Sequence, residues 1–122
     1  MITKAFFAVV ALVSTSSFAI SSIHIDNVSL AKECDNLALK IAEVKMQETD
    51  KTCQSNLDVA ENKVLISGKY ILQTQYLLAS YSLAGATVYL NDSHTHMCTN
   101  YPSLQKLKLA LEPIKDKIAG LD

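Results

Sequence analysis

Two histidines and a cysteine alternate within the stretch NDSHTHMCTNYP, residues 91–102, and their side chains are types that bind transition metals. Single residues separate His94, His96 and Cys98. Imidazole nitrogens and thiolates are common ligands of zinc and copper. The third histidine, His24, precedes the first predicted helix, and the predicted fold brings it to the same end of the molecule. We therefore consider a metal site formed by His24, His94 and His96, with a solvated polar loop as the simpler alternative.

Motifs of the common enzyme classes are absent from the sequence. There is no CxxC, no HExxH and no glycine-rich phosphate loop. Asp92, Ser93 and His94 are adjacent in sequence, but a catalytic triad is assembled by spatial geometry and not by adjacency. We predict no enzymatic activity and no cofactor.

The amino terminus has the organisation of a secretory signal peptide. Lys4 precedes a nine-residue apolar run, residues 5–13, which is too short to span a bilayer. Ser17 and Ala19 then occupy the small-residue positions of a cleavage site. The sequence therefore predicts a signal peptide at residues 1–19 and a single domain at residues 20–122, secreted or periplasmic, with no membrane span after cleavage.

The charge of the predicted mature chain excludes several partners. Removal of Lys4 leaves ten lysines against twelve acidic residues, a net charge of −2, and the chain contains no arginine. Nucleic acids and anionic membrane surfaces require clustered positive charge, so we predict neither as a partner. All three phenylalanines lie in the predicted signal peptide and tryptophan is absent, which leaves tyrosine as the aromatic anchor for binding.

Apolar side chains spaced three and four residues apart indicate two buried helical faces. These are Leu30, Cys34, Leu37, Ile41 and Val44, and near the other end Leu104, Leu107, Leu111, Ile114, Ile118 and Leu121. The first pattern fades at residues 47–56, where we place a hinge; alternatively, the first helix runs to residue 66 and turns at Gly68. No segment alternates as a strand does. The sequence predicts an all-α protein, a small antiparallel three-helix bundle, or four-helix if the break at Gly68 is sharp.

One long stretch, residues 70–91, carries no charge. A helix without charge on any face is usually buried on several faces, but two other helices of a small domain cover only part of it. Part of its surface is therefore a candidate interface, with either another protein or a second copy of the chain. The predicted interface residues, at helical spacing, are Tyr70, Leu77, Tyr81, Ala84 and Val88.

Three cysteines, Cys34, Cys53 and Cys98, enter an oxidising compartment if the chain is exported. The odd number predicts one disulfide and one remaining thiol. In an up-down-up layout the loop 91–102 returns to the end where Cys34 lies, whereas Cys53 lies at the opposite end or part-way along. Since a disulfide requires Cα atoms within about 7 Å, we predict Cys34–Cys98 with Cys53 as the free thiol, and Cys53–Cys98 as the next pairing.

In outline the chain resembles small periplasmic immunity proteins, which block secreted toxins. The resemblance lies in a signal peptide, a helical bundle, an early cysteine (Cys34) and a cysteine before the last helix (Cys98), and in no sequence motif. It implies a protein-binding role. We therefore expect a small exported helical protein-binding module of the inhibitor, immunity or accessory type. The alternative is a helical carrier of a small ligand or a metal.

Overall fold

The described part of the chain contains four α-helices. The computed structural model describes residues 26–91 and 97–121. Helix α1 spans residues 26–47, α2 spans Lys51–Leu72, α3 spans Tyr76–Leu90 and α4 spans Tyr101–Ala119, and these described ranges contain no strand. The connections 48–50 and 73–75 each reverse the chain. The predicted small all-α bundle clipped by one disulfide is confirmed, in its four-helix form.

An apolar stripe on each helix contributes to one core. The stripes predicted on α1 and α4 are buried, apart from their last members Val44 and Leu121, which are partly buried. Helix α2 adds Leu57, Ala60, Val64 and Ile71, and α3 adds Ala79, Leu83, Ala86 and Leu90. The charged residues of α1 and α4 lie on the faces outside these stripes. The spacing of the apolar residues therefore predicts correctly which face of each helix is buried.

Helix α2 begins inside the predicted hinge. The Asp50 side chain accepts a hydrogen bond from the backbone N–H of Cys53 at 2.8 Å and caps the helix. Such a cap satisfies one of the backbone donors that a helix leaves without a partner at its start. The alternative of one helix continuing to residue 66 is therefore wrong.

Gly68 lies within α2 and does not break it. A Cβ at this position would lie 3.3 Å from Cβ of Cys34 and 3.4 Å from the carbonyl oxygen of Ala31, so the glycine permits the close approach of α1 and α2. The chain reverses instead at residues 73–75. There Thr74 adopts φ 58°, the left-handed conformation common just after a helix, and one that strains a β-branched side chain.

The reversal at 73–75 changes which end of the bundle holds the loop before α4. Helix α3 leads away from the end where α1 begins, as the hydrogen bond from the Tyr76 hydroxyl to Asn27 indicates. Residues 97–100, which precede α4, therefore lie beside the α1–α2 connection. Contacts of Thr99 with Glu48 fix them there. The up-down-up layout assumed from the sequence is wrong, because it lacks this second reversal.

Within the described ranges, no helix has the length and apolar character needed to cross a bilayer. The uncharged stretch 70–91 is divided between the end of α2 and the whole of α3. The predicted signal peptide, residues 1–19, lies outside the described residues and stays a prediction.

Candidate functional site

The side of α3 that faces away from the core is apolar and exposed. We call Leu77, Tyr81, Ala84 and Val88 the outer face of α3; they repeat at steps of four, three and four residues, so they form one ridge along the helix. The exposed fractions are 59% for Leu77, 67% for Tyr81 and 47% for Val88. Four of the five predicted interface residues thus share an exposed ridge.

Tyr70, the fifth predicted interface residue, does not belong to this ridge. It lies near the end of α2, before the reversal at 73–75, and packs partly buried against the core. The helical spacing that relates Tyr70 to Leu77 in the sequence is interrupted by the connection between the two helices. Its inclusion in one continuous helical face was therefore wrong.

Polar side chains of α2 and α3 hold α3 in place from its inner side. The Ser67 hydroxyl donates to the carbonyl oxygen of Ala79 at 2.9 Å, and the Ser82 hydroxyl donates to the carbonyl oxygen of Lys63 at 2.9 Å. These bonds join α2 to α3 at two levels one turn apart along each helix. The outer face is consequently presented on a supported helix, and it contributes nothing to these bonds.

Next to the outer face, α2 adds a further apolar side chain and a lysine. Leu78 is 44% exposed on the flank of α3 that carries Ser82 and Gly85, and Ile66 is 41% exposed on the flank of α2 that carries Lys63. The Lys63 stem runs along Gly85, where an added Cβ would lie 2.9 Å from Lys63 Cδ. The apolar surface thus extends from α3 towards α2 around a lysine stem.

The described disulfide joins Cys53 and Cys98, with Cα atoms 5.2 Å apart, while Cys34 is a free, buried thiol. Two predictions are therefore wrong, the Cys34–Cys98 pairing and the free thiol at Cys53. The reason is topological, since the second chain reversal carries Cys98 to the α1–α2 end, where Cys53 lies in the first turn of α2. The observed pairing, Cys53–Cys98, is the second of the two pairings predicted from the sequence.

Beside the disulfide, the buried carboxylate of Glu48 binds the two segments together. It accepts hydrogen bonds from the backbone N–H groups of Thr49 and Asp50, each at 3.1 Å, and of Thr99, at 2.9 Å. The Thr99 hydroxyl donates to it as well, at 3.0 Å. A buried carboxylate is tolerated where its oxygens are satisfied by such donors. Glu48 thus holds the loop before α4 against the start of α2.

These hydrogen bonds set the protonation of Glu48. Burial raises the pKa of the carboxyl, but the hydrogen bonds from Asp50, Thr99 and Thr49 outweigh burial, and the pKa is lowered from 4.5. The unfolded chain therefore binds this proton at a higher pH than the native protein does. The stabilisation by the carboxylate is complete above about pH 4.5 and is lost as the pH falls through the lower native pKa.

One group of metal-ligand types occurs among the described residues. Ligand atoms of Glu48, Cys53 and Cys98 lie within 4.8 Å of one another. Both sulfur atoms belong to the disulfide and are not thiolates, which are the form that binds metal. The predicted metal ligands His24, His94 and His96 lie outside the described residues, and that site stays a prediction.

The free thiol of Cys34 is enclosed where α1 and α2 approach each other. Burial, together with the neighbouring carboxylates of Asp35 and Glu33, raises the pKa of this thiol to about 12, and a hydrogen bond with Ser67 opposes the rise. The thiolate is the reactive form of cysteine. Cys34 is therefore an inert member of the core.

Comparisons with known proteins leave this fold without an assigned relative. Neither protein-family models, nor curated proteins, nor solved structures match the chain. The class of the protein is therefore given by its own geometry, a disulfide-clipped four-helix bundle with an apolar ridge on α3.

Proposed function

We propose that this chain is a small exported protein-binding module, of the inhibitor, immunity or accessory type, that binds its partner through the outer face of α3. The single observation that carries this proposal is the exposure of Leu77, Tyr81 and Val88 along one uncharged helix. The largest contiguous apolar patch on the surface of a small domain is often a binding site.

The chemistry of the ridge supports binding to a protein. Tyrosine is enriched among the residues that dominate binding energy, and Tyr81 lies near the middle of the ridge and is more exposed than Leu77 and Val88. Leu77 and Val88 flank it along the helix, and Ala84 between them leaves room for a partner to approach the backbone. Apolar side chains at this helical spacing, seated in the groove of a partner, are a recurrent mode of recognition.

The disulfide supports the exported location. Cys53–Cys98 is a bond that persists in oxidising compartments and is rare in reducing ones. The predicted signal peptide at residues 1–19 gives the same location from independent residues. An exported small bundle that binds proteins belongs with inhibitors, immunity proteins and accessory proteins. The alternative is a carrier of a small ligand or a metal.

Site-specific photo-crosslinking in the organism that makes the protein tests the proposal. A photoreactive phenylalanine analogue replaces Tyr81, and in a control it replaces Leu109, which is 71% exposed on α4 as an isolated apolar residue. We expect a protein adduct from position 81 and none from position 109. The protein in the adduct is identified by mass spectrometry, and its affinity is then measured with the purified chain and with Tyr81→Ser. A folded variant that forms no adduct at position 81 would overturn the proposal.

A further inference from the structure

The surroundings of the outer face of α3 define the kind of partner that it fits. We propose that the partner is a different protein that receives α3 in an apolar groove with acidic side chains along its edge, and not a second copy of this chain. The inference rests on the proposed function and adds the chemistry of the partner to it.

The size of the ridge argues against self-association. At roughly 200 Å² for a fully exposed large side chain, the three large residues of the ridge, Leu77, Tyr81 and Val88, together with Leu78 on its flank expose about 400 Å², given exposures of 44–67%. Two copies packed ridge to ridge would bury about 800 Å² in total, which is below the roughly 1,200 Å² of stable specific interfaces. A groove that closes over both flanks of α3 reaches more of the surface on either side. The area therefore favours a concave partner.

The apolar surface on the α2 side indicates that the groove extends over that flank. Leu78 and Ile66 continue the apolar surface from the ridge towards α2, and both are exposed. Between the helices, the Lys63 stem covers Gly85. A flat partner resting on the ridge would leave Ile66 in water, whereas a groove covers it.

Lysines lie along both flanks of the ridge. On α2, the acidic residues Asp58 and Glu61 pair with Lys45 of α1, while Lys63 lies towards α3. The acidic groups of α2 are thus turned away from the ridge. A partner with acidic edges complements the remaining lysine, and charge complementarity of this kind accelerates association and selects partners.

Helix α4 lies beside the other flank of the ridge and carries charges of both signs. Its α1 side carries Pro113, which lines a groove with residues of α1, and Lys117, which lies 2.8 Å from Glu33. By helical register, Lys108 and Lys115 lie on the opposite flank, towards α3. Glu112 lies 3.5 Å from Lys115 and offsets part of its charge. The α4 flank is therefore mixed in charge, whereas the α2 flank carries the lysine Lys63.

Crosslinker placement around α3 tests this inference. The photoreactive analogue is introduced separately at Tyr81 on the ridge, at Leu78 and Ile66 on the flank, and at Leu109 as the control. We expect the same heterologous protein to be captured at all three test positions. In the Tyr81 crosslinking background, Lys63→Glu should lower the yield of this adduct at least five-fold. Lys106→Glu, an exposed lysine on α4 outside the flanks, should leave the yield within two-fold, and circular dichroism checks that each variant is folded.

Different failures of the experiment have different meanings. An adduct of twice the mass of the chain identifies a second copy; it overturns this inference and leaves the proposed function standing. A heterologous adduct at position 81 without one at 78 or 66 overturns the groove. An unchanged yield in folded Lys63→Glu overturns the acidic edge. Absence of any adduct at position 81 overturns the proposed function itself.

Discussion

Removing the disulfide should cost a large part of the stability of the bundle. The perturbation is the double substitution Cys53→Ala and Cys98→Ala, which breaks the bond without leaving a buried hydroxyl. The two cysteines are separated by 45 residues, and a loop of this length corresponds to about 4 kcal/mol in the chain-entropy model of disulfide stabilisation. Small domains have total stabilities of only about 5–15 kcal/mol.

Urea unfolding of the oxidised protein at pH 7, followed by circular dichroism, measures this loss. With a denaturant slope of about 1–2 kcal/mol per molar urea, the unfolding midpoint should fall by about 2 M or more. The matched control is Cys34→Ala, which retains the disulfide and removes one buried sulfur at a cost of roughly 1 kcal/mol. Wild-type protein reduced with a phosphine serves as a second form without the bond if the double variant fails to fold.

The pairing itself can be read from peptides, because cleavage after lysine separates the three cysteines into different fragments. Under non-reducing conditions, residues 52–63 should remain linked to residues 70–106, and residues 33–40 should be released alone. A link between 33–40 and 70–106 would refute the topology described above. A midpoint change below about 0.5 M in the double variant would refute the chain-entropy reasoning.

Four further experiments test separate parts of the structure. Glu48→Gln should cost about 1–3 kcal/mol at pH 7, because the amide nitrogen meets backbone donors, and the variant should lose less stability than the wild type below about pH 4.5 in urea titrations. Tyr81→Ser should change the unfolding free energy by less than about 0.5 kcal/mol, whereas Leu83→Ala, in the core behind it, should cost about 2–5 kcal/mol. Thr74→Gly should stabilise the fold by up to about 1 kcal/mol by relieving the left-handed strain, as a higher urea midpoint would show. The Cys34 thiol should resist iodoacetamide at pH 8 in native protein and react once urea unfolds the chain; rapid native labelling would contradict its burial.

The buried residues of the first and last helices, α1 and α4, could be predicted from the sequence. In α1 and α4, the regularly spaced apolar side chains form one stripe and the lysines and acids lie on the other faces, so the stripe is the face that can be buried. Pro102 lies in the first turn of α4, where its fixed φ suits the start of a helix, and Gly120 directly follows the last residue of α4. These helices carry the signal that hydrophobic periodicity detects.

The connection at 73–75 and the site of Glu48 could not be predicted in this way. The residues Gln73, Thr74 and Gln75 contain no glycine, proline or asparagine, the usual residues of turns. Glu48 depends on Thr99, 51 residues away, so no local pattern contains its partner. The wrong disulfide followed from the first of these, since a missed reversal exchanges the two ends of the bundle.

Helix α3 shows why the location of the candidate site was predictable while its role in the core was not. Both of its faces are apolar, with Ala79, Leu83, Ala86 and Leu90 inside and the outer face opposite. Hydrophobic periodicity therefore cannot decide which face packs inwards. The packing of α3 on α2 decides it, because the hydroxyls of Ser67 and Ser82 form their hydrogen bonds between these two helices. The inner face combines small and large residues that fill the narrow space between helices, whereas the outer ridge presents Tyr81 to solvent. The outer face of α3 is apolar although it takes no part in the core, and the proposed binding role would explain this.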